Sequence, residues 1–374
     1  MGKREACLSH LGSKFTVGTI SSLVCLLVCF CFERPALAWN AEGHMLVAQI
    51  AYNHLDPEVK VRCDALVAVP LTYSSTQSSN FVTAAVWADD FKSQLGTGTS
   101  HYIDLPISLD GYPTNGVPPE VPNVVTALNQ YIATLQSTNA TLTDQATALR
   151  YVLHYVGDIE QPLHCSNGIS TNQPTGDAGG NGFYITGNWS NLHSLWDSGG
   201  GYLTDSISRK PFSSASQATV NNKVAGIEAD YPYAKSVGSN PDPMDWAVEG
   251  RGIAETIVYK NISSNTAPSS AYLNTAQTTT EQRMAIGGQR LAKLLNTIFA
   301  TNVPVVAFAN VAGDNFSFSW GSVSGRTYRV QWKQQMDDAS WNDLTDIAAS
   351  SNSTSFSEST LGQPQRFYRA IVVN

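Results

Sequence analysis

Histidine and aspartate residues recur together at short spacings in the first two thirds of the chain. His154 and Asp158 are four positions apart, as are His193 and Asp197, so on a helix each pair projects from one face. Imidazole and carboxylate ligands without thiolate suit Zn²⁺ in a catalytic site that keeps an open position. The spacing therefore predicts helices that bind metal. Further segments that combine His or Asp with aromatic or acidic neighbours are Trp39-Asn-Ala-Glu-Gly-His44, Trp87-Ala-Asp89, His101-Tyr-Ile-Asp104 and Gln161-Pro-Leu-His164.

A single histidine four residues from an aspartate is more often part of an ordinary ion pair or a satisfied core group than a metal ligand. Here five of the six histidines that follow residue 38 lie in such pairs or clusters, and this concentration favours the metal interpretation. The sixth, His54, has no acidic residue at metal-ligand spacing and is predicted to be structural.

The segments that position these side chains are predicted to be helical. Residues 45–52 are apolar on most faces, as a buried helix would be, and Asp56-Pro57 is typical of the start of the next helix. Residues 145–156 and 284–299 place apolar side chains three or four positions apart. Each of these patterns indicates a helix that packs against a core.

Proline and glycine indicate where the helices end. Pro162 is expected to end the helix that carries Asp158 and to place His164 in a turn. The polar, Gly-rich stretches over residues 96–122 and 166–191 are long for simple connections. Loops of this length are usually functional or disordered.

The pattern changes near the predicted domain boundary at residues 301–302. Apolar residues alternate with polar ones over residues 315–320 and 327–332, and residues 366–373 are a third strand candidate. Alternation separated by Gly, Ser and Asn clusters is typical of a small antiparallel β-sandwich. The predicted fold class is therefore mainly α, with an all-helical domain over residues 39–301 and a sandwich over residues 302–374.

The first 38 residues have the pattern of a secretory signal peptide. Basic residues precede an apolar run over residues 17–32, and Ala36-Leu37-Ala38 is a cleavage site of the small-x-small type. A membrane anchor is the alternative, but the run is short and no stop-transfer flank follows it. We therefore expect a secreted or periplasmic protein that begins at Trp39.

Removal of this segment changes the charge and the cysteine content. The segment carries four basic and two acidic residues, so the formal net charge of −8 becomes −10 in the mature chain. An acidic protein repels phosphates unless a local positive source is present, and bound metal would provide one. Four of the six cysteines leave with the segment; the remaining two, Cys63 and Cys165, could form a disulfide in an oxidising compartment.

Together and in this order, the motifs resemble the trinuclear-zinc, single-strand-specific nucleases of the nuclease S-one/P-one family. The resemblance covers about Trp39 to Ala300 and includes Trp-x4-His, Trp-Ala-Asp, His-aromatic-Ile-Asp, Gln-Pro-Leu-His and Asn-Leu-His-x2-Trp-Asp. It implies an all-helical fold shared with zinc-dependent phospholipase C. It also implies a secreted endonuclease that hydrolyses single-stranded DNA and RNA to 5′-phosphate products, and it leaves 3′-nucleotidase activity open.

The resemblance further implies three zinc ions. Asp158 would bridge the first two ions, and Trp39 would bind through its free α-amino nitrogen and its backbone carbonyl. The ligand sets carried over are Asp89, His101, His154 and Asp158 for the first ion, Trp39, His44 and Asp158 for the second, and His164, His193 and Asp197 for the third.

Catalytic and substrate-binding roles follow from the same resemblance. Asp89 and Asp158 would act through the ions they hold, and Asp104 matches an acid that orients the nucleophile. Tyr102 would stack on an unpaired base, which duplex DNA does not offer. The alternative is that Tyr102 is an ordinary core residue with no role in substrate binding. Asn181, in a loop of the form Asp-x-Gly-Gly-Asn, would approach the substrate.

Some features depart from the family pattern. Glu160 stands where the family often has His or another polar residue, and it is expected to alter the charge at the rim of the site. Cys165 directly follows His164, where its thiol could perturb the metal site or pair with Cys63. The C-terminal strands lie outside the family pattern and resemble fibronectin-type or immunoglobulin-like modules in composition only.

Two other functions fit parts of the sequence. Zinc-dependent phospholipase C shares the fold, but it has a longer spacing after its terminal Trp and a Glu in place of Asp197. A surface-binding protein with a structural metal would also carry these clusters, with its function in the sandwich. The sequence favours a monomeric nuclease without a membrane anchor, acting on single-stranded nucleic acid or 3′-nucleotides. Its Asn-x-Ser/Thr sites leave glycosylation open.

Overall fold

Helices build the part of the chain that carries the predicted ligands. The computed structural model describes residues 39–73, 80–114, 119–137, 139–209, 211–234, 236–299, 306–322, 324–338, 340–351, 353–362 and 365–373. Its α-helices are α1 (Ala41–Asn53), α2 (Pro57–Val67), α3 (Phe81–Ala84), α4 (Trp87–Leu95), α5 (Val124–Gln136), α6 (Leu142–Glu160), α7 (Leu192–Asp197), α8 (Ser214–Asp230), α9 (Pro243–Ile253) and α10 (Ser270–Ile298). Short 3₁₀ segments span Gly98–His101, Pro162–Cys165 and Gly199–Gly201, and a π-helical turn spans Ala254–Val258.

Helix α1 lies at the centre of the helical part. Its residues 42–51 are buried, and Asn40 caps it by accepting the Gly43 N–H at 3.2 Å. Helix α10 contacts α1 at Gly288, where an added Cβ would lie 2.4 Å from Ile50 Cγ2. The glycine therefore lets the first and last helices of this part approach closely.

Helices α6 and α10 extend beyond the predicted spans. A capping box of Thr141 and Asp144 starts α6, and the helix ends two residues before Pro162, as the proline predicted. Helix α10 begins at Ser270, well before Met284. Its first half is rich in Ser, Thr, Asn and Gln, so apolar residues at helical spacing are not evident in that part of the sequence.

The two long connections are held together by a short parallel ribbon. Strand β1 (Pro106–Ser108) lies in the first connection and pairs with β2 (Asn167–Ile169) in the second. The pairing continues beyond the strands, because the Ile103 N–H donates to His164 O at 2.8 Å. The ribbon thus fixes the segment after His101 beside the segment after His164.

The C-terminal part forms two antiparallel sheets, and the predicted class of a mainly α fold with a C-terminal β region is confirmed. Aromatic residues from both sheets share one core, where Phe316 stacks on Tyr368 at 4.6 Å between ring centroids. The sheets therefore pack as a sandwich. The strands are β3 (Val306–Ala312), β4 (Asn315–Gly321), β5 (Thr327–Lys333), β6 (Asn342–Ala348), β7 (Ser353–Ser359) and β8 (Phe367–Val372), in the orders β3-β4-β7 and β6-β5-β8.

The sandwich contacts helix α2. A Cβ added to Gly321 would lie 2.3 Å from Val61 Cγ1, and Arg326 Nε lies 3.0 Å from Glu58 Oε1 in a half-buried ion pair. The predicted boundary at residues 301–302 falls outside the described residues. The division into two domains and the fibronectin-type or immunoglobulin-like resemblance remain predictions.

Cys63 and Cys165 are free thiols, so the disulfide considered from the sequence is not formed. Cys63 is buried on α2, whereas Cys165 is buried in a 3₁₀ segment, where its Sγ donates to Ile159 O at 3.2 Å. A Cβ added to Gly250 of α9 would lie 3.1 Å from Cys165 Cβ. Cys165 is therefore packed between α6 and α9 and is not directed to α2.

Glu160 does not lie at a rim, and that prediction was wrong. The side chain is fully buried, paired with Arg283 and with Arg290, whose Nη1 lies 2.8 Å away. Glu249 of α9 pairs with the same two arginines. The partners of Glu160 lie 123 and 130 positions further along the chain, so local sequence does not reveal them.

The predicted signal peptide, residues 1–38, also lies outside the described residues. Within the described ranges, no helix combines the length and the apolar character needed to cross a membrane.

Candidate metal centre

Two aspartates and two histidines meet inside the helical part. His154 and Asp158 lie one turn apart on α6, with His154 Nε2 3.2 Å from Asp158 Oδ2. His101 places its Nδ1 3.0 Å from the same oxygen and 3.0 Å from His154 Nε2. Asp89 of α4 lies next to them, with Oδ1 3.7 Å from the nearest nitrogen of each imidazole. The ligand atoms of His101, His154 and Asp158 lie close enough together to hold one cation, and those of Asp89 and His154 form a second such group with His44.

Backbone carbonyls fix the orientation of three imidazoles. In each case Nδ1 donates a hydrogen bond to a carbonyl, which leaves Nε2 to face the neighbouring carboxylates. Metal-ligating histidines usually have such an outer hydrogen bond, which sets both the tautomer and the ring orientation. The three bonds run from His154 to Ala85 O at 2.7 Å, from His164 to His101 O at 2.8 Å and from His193 to Gly179 O at 2.6 Å.

His44 joins the same centre from α1. Its Nε2 lies 3.5 Å from Asp158 Oδ1, and its ring stacks on His154 at 3.9 Å between centroids. The side chain is fully buried, yet neither of its nitrogens hydrogen bonds to a described residue. Burial, helped by the neighbouring His154, lowers the pKa of His44 to about 3. The imidazole is therefore neutral, the form that binds metal.

Gly157 provides the space for His44, and an alanine there should weaken metal binding. An added Cβ would lie 2.6 Å from His44 Nδ1, so Gly157→Ala must displace the imidazole. We expect zinc affinity, measured by competition with a chelating dye, to fall by about 10- to 100-fold.

The matched control for this prediction is Gly226→Ala in α8. Nothing lies within 4 Å of a Cβ added to Gly226, so this variant should keep the zinc affinity of the unmodified chain. It should also be more stable by about 1 kcal/mol, because alanine favours a helix over glycine. Equal zinc affinity in both variants would contradict a ligand role for His44.

A second group of candidate ligands lies next to Asp158. His193 and Asp197 are one turn apart on α7, with His193 Nε2 3.4 Å from Asp197 Oδ2. His164 Nε2 lies 3.9 Å from Asp197 Oδ1, and His164 Nδ1 lies 3.7 Å from Asp158 Oδ1. Asp158 therefore lies at the junction of the two groups.

The N-terminal residues of the described chain contact the helix that carries Asp197. The Asn40 N–H donates to Asp197 O at 3.2 Å, and Trp39 is fully buried. A Cβ added to Gly43 would lie 2.7 Å from Trp39 Cβ, so α1 packs tightly on the tryptophan. The structure thus brings Trp39 to α7 and to the start of the helix that carries His44.

The chemistry of the donor set fits bound cations. Nε2 of His44, Nε2 of His164 and both carboxylate oxygens of Asp158 are buried and make no hydrogen bond to a described residue. Each buried polar atom left unpaired costs about 1–3 kcal/mol, so a concentration of them is unfavourable without a further partner. Imidazole and carboxylate ligands without thiolate are a set that Zn²⁺ takes.

The two central aspartates differ in their pKa. Burial raises the pKa of Asp197 well above its usual range, and its hydrogen bond from Gln161 offsets only part of this effect. Burial acts in the same direction on Asp158, but the facing His154 and His101 bring its pKa well below the usual range. Asp158 is therefore ionised, whereas Asp197 needs a positive partner to ionise.

Three residues predicted to meet the substrate or the nucleophile belong to neither ligand group. Tyr102 is half-buried directly after His101, and Asn181 is half-buried with its Nδ2 donating to Ala178 O at 2.9 Å. Asp104 is also half-buried. Burial raises the pKa of Asp104 to about 6, with smaller contributions from nearby acidic residues.

Two side chains that contact the ligand groups were missed in the sequence. Gln161 Nε2 donates to Asp197 Oδ1 at 2.8 Å. Lys92 lies one turn after Asp89 on α4, and its Nζ is 3.2 Å from Asp89 Oδ1. The spacing of Lys92 from Asp89 was a signal that could have identified it. Gln161 is part of the Gln-Pro-Leu-His motif, but its partner is distant in sequence.

Asp177 fixes the loop that orients His193. Asp177 Oδ1 accepts the Gly180 N–H at 2.9 Å, and its Oδ2 accepts the Tyr259 hydroxyl at 2.8 Å. The intervening Gly179 supplies the carbonyl that receives His193 Nδ1. Asp177 therefore acts on the metal centre through the backbone of its own loop.

Comparisons with known proteins cover the same part of the chain. The family model described as S1/P1 Nuclease matches residues 39–300. Endonuclease 3 of Arabidopsis thaliana is 27% identical over 296 residues, which cover 74% of this chain and 95% of that protein. Nuclease P1 of Penicillium citrinum is 25% identical over 71% of this chain and 99% of its own length. Nuclease S1 of Aspergillus oryzae is 27% identical, covering 70% and 91% respectively.

Proposed function

The chain belongs to the S1/P1 nuclease family, and from this premise we propose that it cleaves single-stranded DNA and RNA internally to 5′-phosphate products. Family membership makes it a nuclease, a hydrolase that acts on phosphodiester bonds, and the family depends on metal. The observation that carries the proposal is the meeting of two imidazole–carboxylate groups at Asp158, inside the matched region.

We assign three zinc ions to this centre. Bound zinc supplies positive charge that polarises phosphoryl oxygens and activates water. Asp89, Asp158 and Asp197 carry three negative charges against six positive ones, so the occupied centre stays positive in an acidic protein. The residues proposed to hold the ions are Asp89, His101, His154 and Asp158 for the first, Trp39, His44 and Asp158 for the second, and His164, His193 and Asp197 for the third.

The remaining site residues bind and orient the substrate. Tyr102 offers an aromatic face to an unpaired base, which supports the preference for single strands. Asn181 offers an amide donor to a phosphate or a base. Asp104, with a pKa of about 6, is mainly a carboxylate at neutral pH and can accept a hydrogen bond from the attacking water.

The proposed role of Trp39 makes export and cleavage a requirement for activity. A ligand through the α-amino nitrogen exists only when the chain begins at residue 39. The close packing of Trp39 against Gly43 and the bond from Asn40 to Asp197 support this role, since they hold the residue beside the metal centre.

One extra residue before Trp39 should therefore remove one zinc ion. We expect a Gly-Trp39 start to give a chain with two zinc ions by elemental analysis and with activity on single-stranded DNA lower by about 10²-fold. The control is the same chain with glycine added at the C terminus. Three zinc ions with full activity in the extended chain would contradict the assignment of Trp39.

A substrate panel tests the proposed function. We expect cleavage of single-stranded DNA and RNA oligonucleotides, with 5′-phosphate ends seen by mass spectrometry, and cleavage of the matched duplexes at least about tenfold more slowly. Phosphatidylcholine in mixed micelles serves as the substrate of the alternative activity. Hydrolysis of phosphatidylcholine without cleavage of either single strand would overturn the proposal in favour of a phospholipase.

A further inference from the structure

Asn40 joins the start of helix α1 to the segment that follows Asp197. Its backbone N–H donates to Asp197 O at 3.2 Å, and its Nδ2 donates to Leu203 O at 2.9 Å. Its Oδ1 accepts the Gly43 N–H at 3.2 Å and so caps α1. One half-buried side chain therefore caps a helix and also binds a carbonyl 163 positions further along the chain.

A turn of three glycines brings the chain back toward Asn40 after helix α7. Residues 199–201 are glycines with φ between 55° and 98°, a backbone conformation that other residues rarely adopt. A Cβ added to Gly200 would also lie 2.7 Å from Leu273 O of α10, so the turn is packed tightly against that helix. We call residues 198–203 the N-terminal cradle, because they contact the first residues of the described chain.

Two further contacts hold the N-terminal cradle on α1. Leu203 is buried, and its Cδ1 would lie 3.1 Å from a Cβ added to Gly43. Lys223 of α8 forms an ion pair with the buried Glu42 of α1, and it donates to Tyr202 O at 3.2 Å. The cradle and the start of α1 are thus fixed to each other by hydrogen bonds, by packing and by charge.

The residue that Asn40 can hold in place is Trp39, which directly precedes it. Trp39 is fully buried, and its Cβ lies 2.7 Å from a Cβ added to Gly43. Chain termini are poorly ordered unless contacts hold them. The α-amino nitrogen of Trp39, proposed above as a zinc ligand, is bonded to the chain on one side only. Its position therefore depends on the residue that follows it.

The cap of α1 and the bond to Leu203 are separable contacts of the Asn40 side chain. The cap requires only a side-chain acceptor, which serine also provides. The bond to Leu203 requires the Nδ2 donor and joins Asn40 to the cradle, which continues directly from Asp197. This second contact therefore links the start of the chain to a segment that carries a candidate ligand.

We propose that Asn40 is a positioning residue for the second zinc ion and that its bond to Leu203 holds Trp39 at the metal centre. The nitrogen and carbonyl of Trp39 are then ordered before the metal binds, so less conformational freedom is lost on binding. Asn40 acts through Trp39 and not on the substrate. The proposal rests on the proposed role of Trp39 and names the residue on which that role depends.

Two variants of the mature chain separate the bond to Leu203 from the cap. Asn40→Ser keeps a cap acceptor but is too short to reach Leu203, whereas Asn40→Ala removes both contacts. The matched control is Asn296→Ser, at the other end of α1. Asn296 is also half-buried; its Nδ2 donates to His54 O at 3.0 Å, and its Oδ1 accepts the Asp56 N–H at 2.9 Å.

We expect Asn40→Ser and Asn40→Ala each to lower the affinity for one zinc ion by about tenfold and to leave the other two affinities unchanged. Competition with a chelating dye measures these affinities. Only Asn40→Ala should also lower the Tm of the zinc-free chain, by about 3 °C, because it loses the cap. Asn296→Ser should keep all three affinities. An unchanged zinc affinity in Asn40→Ser, or an equal loss in Asn296→Ser, overturns the proposal.

A double-mutant cycle with the chain that begins Gly-Trp39 shows whether Asn40 acts through Trp39. The added glycine already removes the α-amino ligand, so Asn40→Ser should not weaken the two remaining zinc ions in that chain. A further loss of affinity at those two ions would show a general effect of Asn40 on the fold and would overturn the positioning role.

The same measurements distinguish failure of this proposal from failure of the proposed function. If the Gly-Trp39 chain keeps three zinc ions at full affinity, Trp39 is not a ligand, and both the assignment of Trp39 and the role of Asn40 fail. If that chain loses one ion but Asn40→Ser binds three ions as tightly as the unmodified chain, only the role of Asn40 fails. Cleavage of single-stranded DNA by the unmodified chain tests the nuclease function independently of either result.

Discussion

Asp158→Asn is expected to lower kcat/KM for single-stranded DNA by roughly 10³-fold or more, because the carboxylate of Asp158 is proposed to bind two of the three zinc ions. The carboxylate lies 3.0 Å from His101 and 3.2 Å from His154 in one group and 3.7 Å from His164 in the other. Asparagine keeps the size of the side chain but removes its negative charge and one ligand oxygen. Zinc content should therefore fall together with the rate.

The control for Asp158→Asn is Asp64→Asn, which removes an exposed carboxylate whose hydrogen-bond partner is Tyr52. Elemental analysis and single-turnover rates on one single-stranded oligonucleotide are measured for both variants. We expect Asp64→Asn to retain three zinc ions and full activity. An Asp158→Asn chain with full zinc content and an unchanged rate would exclude the shared role of this residue.

Removal of metal by a chelator should abolish activity and also destabilise the helical part. The ligand groups draw residues from α1, α4, α6, α7 and two 3₁₀ segments, and most of these side chains are buried. Without cations, ionised Asp158 and unpaired imidazole nitrogens remain in a dry interior. A metal present at 1,000 times its Kd stabilises the folded chain by about 4 kcal/mol, so we expect Tm to fall by roughly 10 °C.

Differential scanning calorimetry with and without EDTA measures this effect, and addition of zinc to the depleted chain should restore both Tm and activity. Calcium added in the same amount is the control, since it prefers sites built entirely from oxygen ligands. Activity that survives excess EDTA, or a Tm that does not change, would contradict the link between metal and fold.

Part of the fold was predictable because its signals are local. Helix α6 shows apolar residues at three- and four-residue spacing, and Pro162 marks its end. Helix α10 was recognised only in its second half, because the residues from Ser270 onward are mostly polar. Strand β6 is largely exposed and has no alternation in the sequence; it forms because β5 provides a hydrogen-bonded partner.

The ligand groups were predictable for a related reason. His154 with Asp158 and His193 with Asp197 have helical spacing, so each pair is a local feature. The residues that support them are long-range partners: Gln161 meets Asp197 across 36 positions, and Tyr259 meets Asp177 across 82. Glu160 was misplaced for the same reason, since only the folded chain brings two arginines of α10 to it.

The contact of α10 with α1 at Gly288 and Ile50 has a consequence for the order of biosynthesis. Helix α1, which carries His44, is the first to leave the ribosome, and the α10 segment that packs on it is the last of the helical part. The buried Glu160, at the end of α6, likewise needs Arg283 and Arg290 of α10 to neutralise its charge. We therefore expect an emerging chain to bind its metal only after synthesis of the helical part is complete.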